Sequence, residues 1–136
     1  MKALSFLLVL VFSSACSGAS ATPPNVNFKG SASDIEKQIG AYFPIGMDRA
    51  AVVDALTSKF GVKPQAISVS KIDKKPIEAI RDGKKVLVYS WVSTMLAEYR
   101  SMAALFAKTQ VTAEFNFDAN DKLLFYHVSI ARGPEL

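Results

Sequence analysis

The chain of 136 residues contains one cysteine, one histidine and one tryptophan. A lone cysteine, Cys16, excludes an internal disulfide, so packing alone must hold any folded body together. A lone histidine, His127, leaves zinc sets and Ser-His triads without their other parts, and it reads as a rim residue of a strand. No glycine-rich phosphate loop occurs. No apolar run reaches the roughly 20 residues of a membrane-spanning helix. Asp118, Asn120 and Asp121 offer oxygen ligands of the kind calcium takes. Their loop is too short for an EF-hand and lacks a closing glutamate, so it reads as a turn. No catalytic residue, metal or cofactor is expected.

What is present begins at the N-terminus. Lys2 precedes the apolar stretch ALSFLLVLVF at 3–12, and the small residues Ser13, Ser14 and Ala15 follow. That is the layout of a secretory signal. Small residues ending just before Cys16 resemble a bacterial lipobox, although Ser13 stands where leucine is usual. On this reading 1–15 is removed and Cys16 is acylated as the mature N-terminus. The competing site is Ala19-Ser20-Ala21, which would release a soluble periplasmic or secreted protein. The lipobox is preferred because Ala15 lies close to the end of the apolar run. The residue after the cysteine is Ser17 and not aspartate, which by resemblance to enteric-type lipoproteins implies the outer membrane, periplasmic face. Residues 16–32, rich in Ser, Gly, Ala and Asn with Pro23-Pro24, read as a flexible tether.

The remaining 33–132 are one domain with one core. The formal net charge of the whole chain is +4. An exported address argues against nucleic acid despite that charge. Ser33-Asp34-Ile35-Glu36 has the form of a capping box, and Ile35, Ile39 and Phe43 follow at helical spacing, predicting a helix over 34–42. Asp48 is placed to cap a second helix over 49–60. Its apolar stripe is Val52, Val53, Leu56 and Phe60, and Gly61 ends it. Strand chemistry follows. AISVSKI alternates, KVLVYSWVS is β-branched and aromatic, and VTAEFNF and KLLFYHVSI flank the turn DAND as a hairpin. Within the latter, Leu124, Tyr126, Val128 and Ile130 are set against Leu123, Phe125, His127 and Ser129. Asp82-Gly83 signals a hairpin, with a short helix from Pro76 as the alternative. Residues 93–110 lean to helix, with Met95, Tyr99, Met102 and Phe106 at helical spacing, and a long hairpin as the alternative. The fold expected is α+β, two N-terminal helices packed on a three- or four-stranded antiparallel sheet (ααβββ).

Gly46, Asp48 and Val52, with Phe117 and Leu123 in the closing hairpin, carry a resemblance to the SmpA/OmlA (BamE-like) family of small outer-membrane lipoproteins. Asn120 or Asp121 replaces the family's turn glycine. Gly61 and Pro64 are one residue further apart than its Gly-x-Pro. The apolar segment 93–110 departs from the pattern. The resemblance implies the ααβββ fold and a role in outer-membrane protein assembly.

Two segments are candidate partner surfaces. In 71–85, Lys71, Lys74, Lys75, Arg81, Lys84 and Lys85 outnumber Asp73, Glu78 and Asp82. They could meet anionic lipid headgroups or an acidic protein. Met95, Tyr99, Met102 and Phe106 would supply an adaptable apolar stripe. The function expected is a non-enzymatic binding or scaffold lipoprotein of the cell envelope, anchored to the membrane and meeting another envelope protein. The alternatives are a periplasmic inhibitor of a hydrolase, resembling the halves of β-lactamase inhibitory proteins, or a small enzyme with an unrecognised site.

Overall fold

The computed structural model describes residues 25–73, 75–100 and 107–134. Helix α1 is Ala32–Ile39. Its cap is Ser31, not Ser33. Ser31 is extended, and its hydroxyl accepts the Asp34 N–H at 3.2 Å. Ser33 already lies inside the first turn, so the expected capping box does not form. Ile35 and Ile39 are fully buried. The chain then tightens, with the Tyr42 N–H bonded to the Ile39 carbonyl at 2.9 Å. Packing starts upstream of the helix, because Val26 and Phe28 already lie against the core.

Helix α2 is Arg49–Ser58, two residues shorter at its end than the spacing predicts. Asp48 stands at the cap position but makes no side-chain capping bond. Its carboxylate pairs instead with the Lys122 ammonium. The reason is tertiary: Asp48 forms a β-bridge with Lys122, which sets the two charges side by side. Val52 and Leu56 are buried, with Val53 and Phe60 packed beside them. Gly61 takes a left-handed φ of 67°, and the Val62 N–H closes the helix on the Leu56 carbonyl at 2.9 Å.

Six strands follow: β1 (Ser68–Lys71), β2 (Ile77–Arg81), β3 (Lys84–Val88), β4 (Ser90–Arg100), β5 (Ala107–Phe117) and β6 (Leu123–Pro134). An antiparallel sheet has the order β1-β4-β5-β6, and β2 and β3 form a separate antiparallel ribbon. The expected ααβββ layer is corrected. The two helices are short, at 8 and 10 residues, and the described body is dominated by six strands in two sheets rather than three or four in one. The difference has two sources. Of the expected helix 93–110, residues 101–106 lie outside the described residues. Residues 93–100 and 107–110 are strand, because β4 pairs with β5 from Ser90 to Arg100 and this outweighs the helical propensity of Met, Leu and Ala. The apolar KVLVYSWVS is also not one strand: it breaks at Tyr89, and its first half joins the Asp82-Gly83 hairpin.

One face of the large sheet meets the helices. Val92, Val111, Ala113, Phe115, Phe117, Leu123 and Val128 pack there against Ile35, Ile39, Val52 and Leu56. An aromatic seam ties the layers. Phe43 lies 4.6 Å from Phe115 and 5.4 Å from Phe60, and Phe115 lies 5.8 Å from Tyr126, between ring centroids. The β5 alternation is as its sequence predicts. In β6 a register shift opposite Asn116 and Phe117 puts Leu123, not Leu124, in the core. Val69 is 48% exposed, because β1 is the short outer strand of its sheet.

Candidate functional site

The ribbon is built around its turn. Asp82 and Gly83 have φ of 53° and 76°, the two left-handed residues of a type I′ turn. The strands pair in register from Arg81↔Lys84 to Ile77↔Val88. Alternation then sorts the side chains. On one face Val88 is buried, Ala79 and Val86 are half-buried, and the Arg81 guanidinium lies 5.1 Å from the Phe125 ring centroid. Through Arg81 that face meets the large sheet at Phe125 of β6. The other face carries Glu78, Ile80, Lys85 and Leu87. Ile80 is 79% exposed and Leu87 41%, and a diagonal Lys85–Glu78 ion pair of 3.3 Å lies beside them.

The sequence-predicted cations fall in or beside this ribbon. Lys71 ends β1, Lys75 lies in the connection to β2, and Lys84 and Lys85 open β3; all are exposed. Among the described residues only Lys85 of these lysines meets a carboxylate, while Arg81 is engaged by an aromatic face. Lys74 lies outside the described residues. The structure adds aliphatic groups that charge counting missed: Ile80 and Leu87 on the open face, and Ile77, 51% exposed, at the end of the opposite one. Alternation in IEAIR hints at two faces, but only the ribbon's docking decides which one stays open.

The second predicted surface does not assemble as a stripe. Met95 is exposed next to a β-bulge, whereas Tyr99 packs toward the core with the Lys29 ammonium 5.9 Å over its ring. Strand geometry, not helical spacing, governs them, so they point into different surroundings. Met102, Phe106 and the proposed lipidation residue Cys16 lie outside the described residues.

Other polar groups are brought together without a reactive geometry. His127 stands opposite Glu114, and Glu114 opposite Ser93, across three neighbouring strands. The glutamate sits between the serine and the histidine, so the histidine is not next to the serine as a Ser-His pair requires. This row depends on strand register and was invisible in the sequence. An open cleft lies between the ribbon turn and α1, lined by Glu36, Lys37, Ile45, Arg81, Phe125 and Tyr126 among others. In it the Tyr126 hydroxyl donates to the Glu36 carbonyl at 3.3 Å. Burial pushes the Tyr126 phenol above its ordinary value, the Glu36 charge adds to this, and Arg81 opposes it.

The turn before β6 is organised by Asp118, whose carboxylate accepts the Asn120 and Lys122 N–H groups at 2.8 and 3.0 Å. Asp121 has a left-handed φ of 61°. Arg49 reaches from α2 to Asp121 at 2.9 Å and to the Ser90 hydroxyl at 3.1 Å. These oxygens hold the backbone and an arginine, as a turn requires. Comparison with known proteins is silent: no protein-family model, curated protein or solved structure matches the chain.

Proposed function

We propose that the chain is a lipoprotein of the cell envelope, attached through acylated Cys16, whose folded body acts as a non-enzymatic binding or scaffold module. The observation that carries this reading is the β2–β3 ribbon. It holds Ile77, Ile80 and Leu87 open to solvent, beside Lys71, Lys75, Lys84 and Lys85, which outnumber Asp73, Glu78 and Asp82. Exposed aliphatic groups on a rigid turn cost hydration free energy unless a partner covers them. The relation to outer-membrane assembly lipoproteins draws support from two positions. Gly46, with φ 91°, and Asp121, one of the two residues that could stand for the family's turn glycine, are both left-handed. The segment around them is joined by backbone bonds, Gly46 N–H to Leu123 carbonyl and Leu123 N–H to Met47 carbonyl, each 2.8 Å. The motif residues thus support one another in space.

The anchor is tested by the intact mass of the exported protein. The proposal expects a mature N-terminus at Cys16 carrying acyl mass, and blocked processing in Cys16→Ala. A soluble product beginning at Thr22 without lipid would exclude it.

A further inference from the structure

The binding surface has a feature that names the chemistry of its partner. Among the described residues β2 pairs only with β3, and β1 only with β4. Both strands therefore leave a free edge. In a two-residue hairpin the residues flanking the turn exchange both main-chain bonds, and hydrogen-bonded and open pairs then alternate. Arg81↔Lys84 is the flanking pair, so Ile80↔Lys85 and Glu78↔Leu87 are open pairs. The N–H and C=O groups of Glu78 and Ile80 consequently face outward from the ribbon, ready to pair with another strand.

The other long edge, that of β6, is less available. Gly46 and Met47 bond to Leu123 at its start, and Lys29, Gly30 and Ser31 border Ile130 and Arg132 further along. The β1–β2 edge instead carries Lys71 and Lys75 against Asp73, with Glu78 paired to Lys85 and with Val69, Ile77 and Ile80 exposed along it. Lysines on an edge repel an identical basic edge, which disfavours a second copy of this chain. They attract a strand of the opposite charge.

We infer that the free β2 edge, with its continuation toward β1, takes an extended acidic segment of a partner protein as an added strand. Main-chain bonds come from Glu78 and Ile80, apolar contact from Ile77 and Ile80, and charge selection from Lys71 and Lys75. This rests on the binding-module reading but not on the lipid anchor, whose mass test is independent of it.

The test uses the exported mature protein and a fluorescein-labelled peptide alternating glutamate and valine, read by anisotropy. The same peptide with lysine for glutamate is the control. The acidic peptide should bind and the basic one should not. Lys71→Glu with Lys75→Glu should weaken binding about tenfold or more, corresponding to loss of one or two charge-assisted contacts. Glu78→Pro should weaken it similarly although it removes a negative charge, because it deletes an outward N–H. Glu78→Thr, which keeps that donor, should bind at least as well as the parent. Amide exchange over 77–81 in the parent protein gives a readout independent of the proline variant's stability, and it should slow when the acidic peptide is added. Equal behaviour of the two peptides, unchanged exchange over 77–81, or equal affinity of the folded Glu78→Pro and Glu78→Thr variants would overturn the inference. Loss of binding in the lysine variants without slowed exchange would also overturn it, since that is charge attraction without an added strand.

Discussion

Gly40 ends α1 in helical geometry, with φ −55° and ψ −28°. On propensity alone, Gly40→Ala should stabilise the chain by about 0.5–1 kcal/mol. The structure reverses the sign. A Cβ built on Gly40 lies 2.8 Å from the Tyr126 hydroxyl oxygen, inside van der Waals contact. That hydroxyl cannot swing aside freely. Its ring is tilted against Phe115 at 5.8 Å, and the oxygen donates to the Glu36 carbonyl. Moving it loses a hydrogen bond, about 0.5–1.5 kcal/mol, and strains a packed ring, about 1–3 kcal/mol. The net expectation is a loss of about 1–3 kcal/mol after the propensity gain. Urea denaturation of the folded body, followed by tryptophan fluorescence from Trp91, would measure it. The decisive arm is the Tyr126→Phe background, where the clashing oxygen is gone and Gly40→Ala should become neutral or stabilising. If Gly40→Ala stabilises the parent chain, or costs the same in both backgrounds, the Tyr126 contact is not what excludes a side chain there.

Three further outcomes follow from the same structure. Among the described residues the Asn116 side-chain Nδ2 is buried without a partner, so Asn116→Val should be neutral or stabilising by about 1 kcal/mol in the same denaturation assay. Asp48→Ala should lose only a solvent-exposed ion pair, with an effect that vanishes in high salt, whereas Arg49→Ala removes contacts to both Asp121 and Ser90 and should cost about 1–3 kcal/mol at any salt concentration. The Lys108 and Gln110 hydrogen bonds hold the Glu98 carboxyl below its ordinary value of 4.5. Its contribution is therefore present above that value and lost as acid brings the pH down through the lowered folded value, so Glu98→Gln should flatten the stability profile below about pH 4.5.

The parts of the fold that repeat locally were legible. Ile35, Ile39, Val52 and Leu56 follow helical spacing, and Val111, Ala113, Phe115 and Phe117 alternate; all eight are buried. Asp82-Gly83 announced its turn because few other residue pairs accept two left-handed angles. The rest depended on partners distant in the chain. Residues 93–100 have helix-forming side chains, yet β5 pairs with them as far as Arg100, and β1 with Ser93 at their start, and those backbone bonds decide the conformation. Asp48 has the chemistry of a cap, but Lys122, 74 residues on, takes its carboxylate. A single bulge moved Leu123 into the core in place of Leu124. For the site, the lysines of 71–85 were visible as charge. That Ile80 and Leu87 lie open, and that β2 has a bare edge, follows from where the ribbon rests. The His127–Glu114–Ser93 row likewise needed the register of three strands.

The account's central claim is that the ribbon is a contact surface in the envelope, and photocrosslinking in intact cells tests it most directly. A photoreactive residue at Ile80 of the exported lipoprotein should yield a discrete adduct with an acidic envelope protein, and the adduct should be lost when Lys71 and Lys75 are changed to glutamate. The same residue at Ser58, exposed at the end of α2, is the control position. No adduct at Ile80, or the same adduct from Ser58, would contradict the assignment of the ribbon as the binding surface.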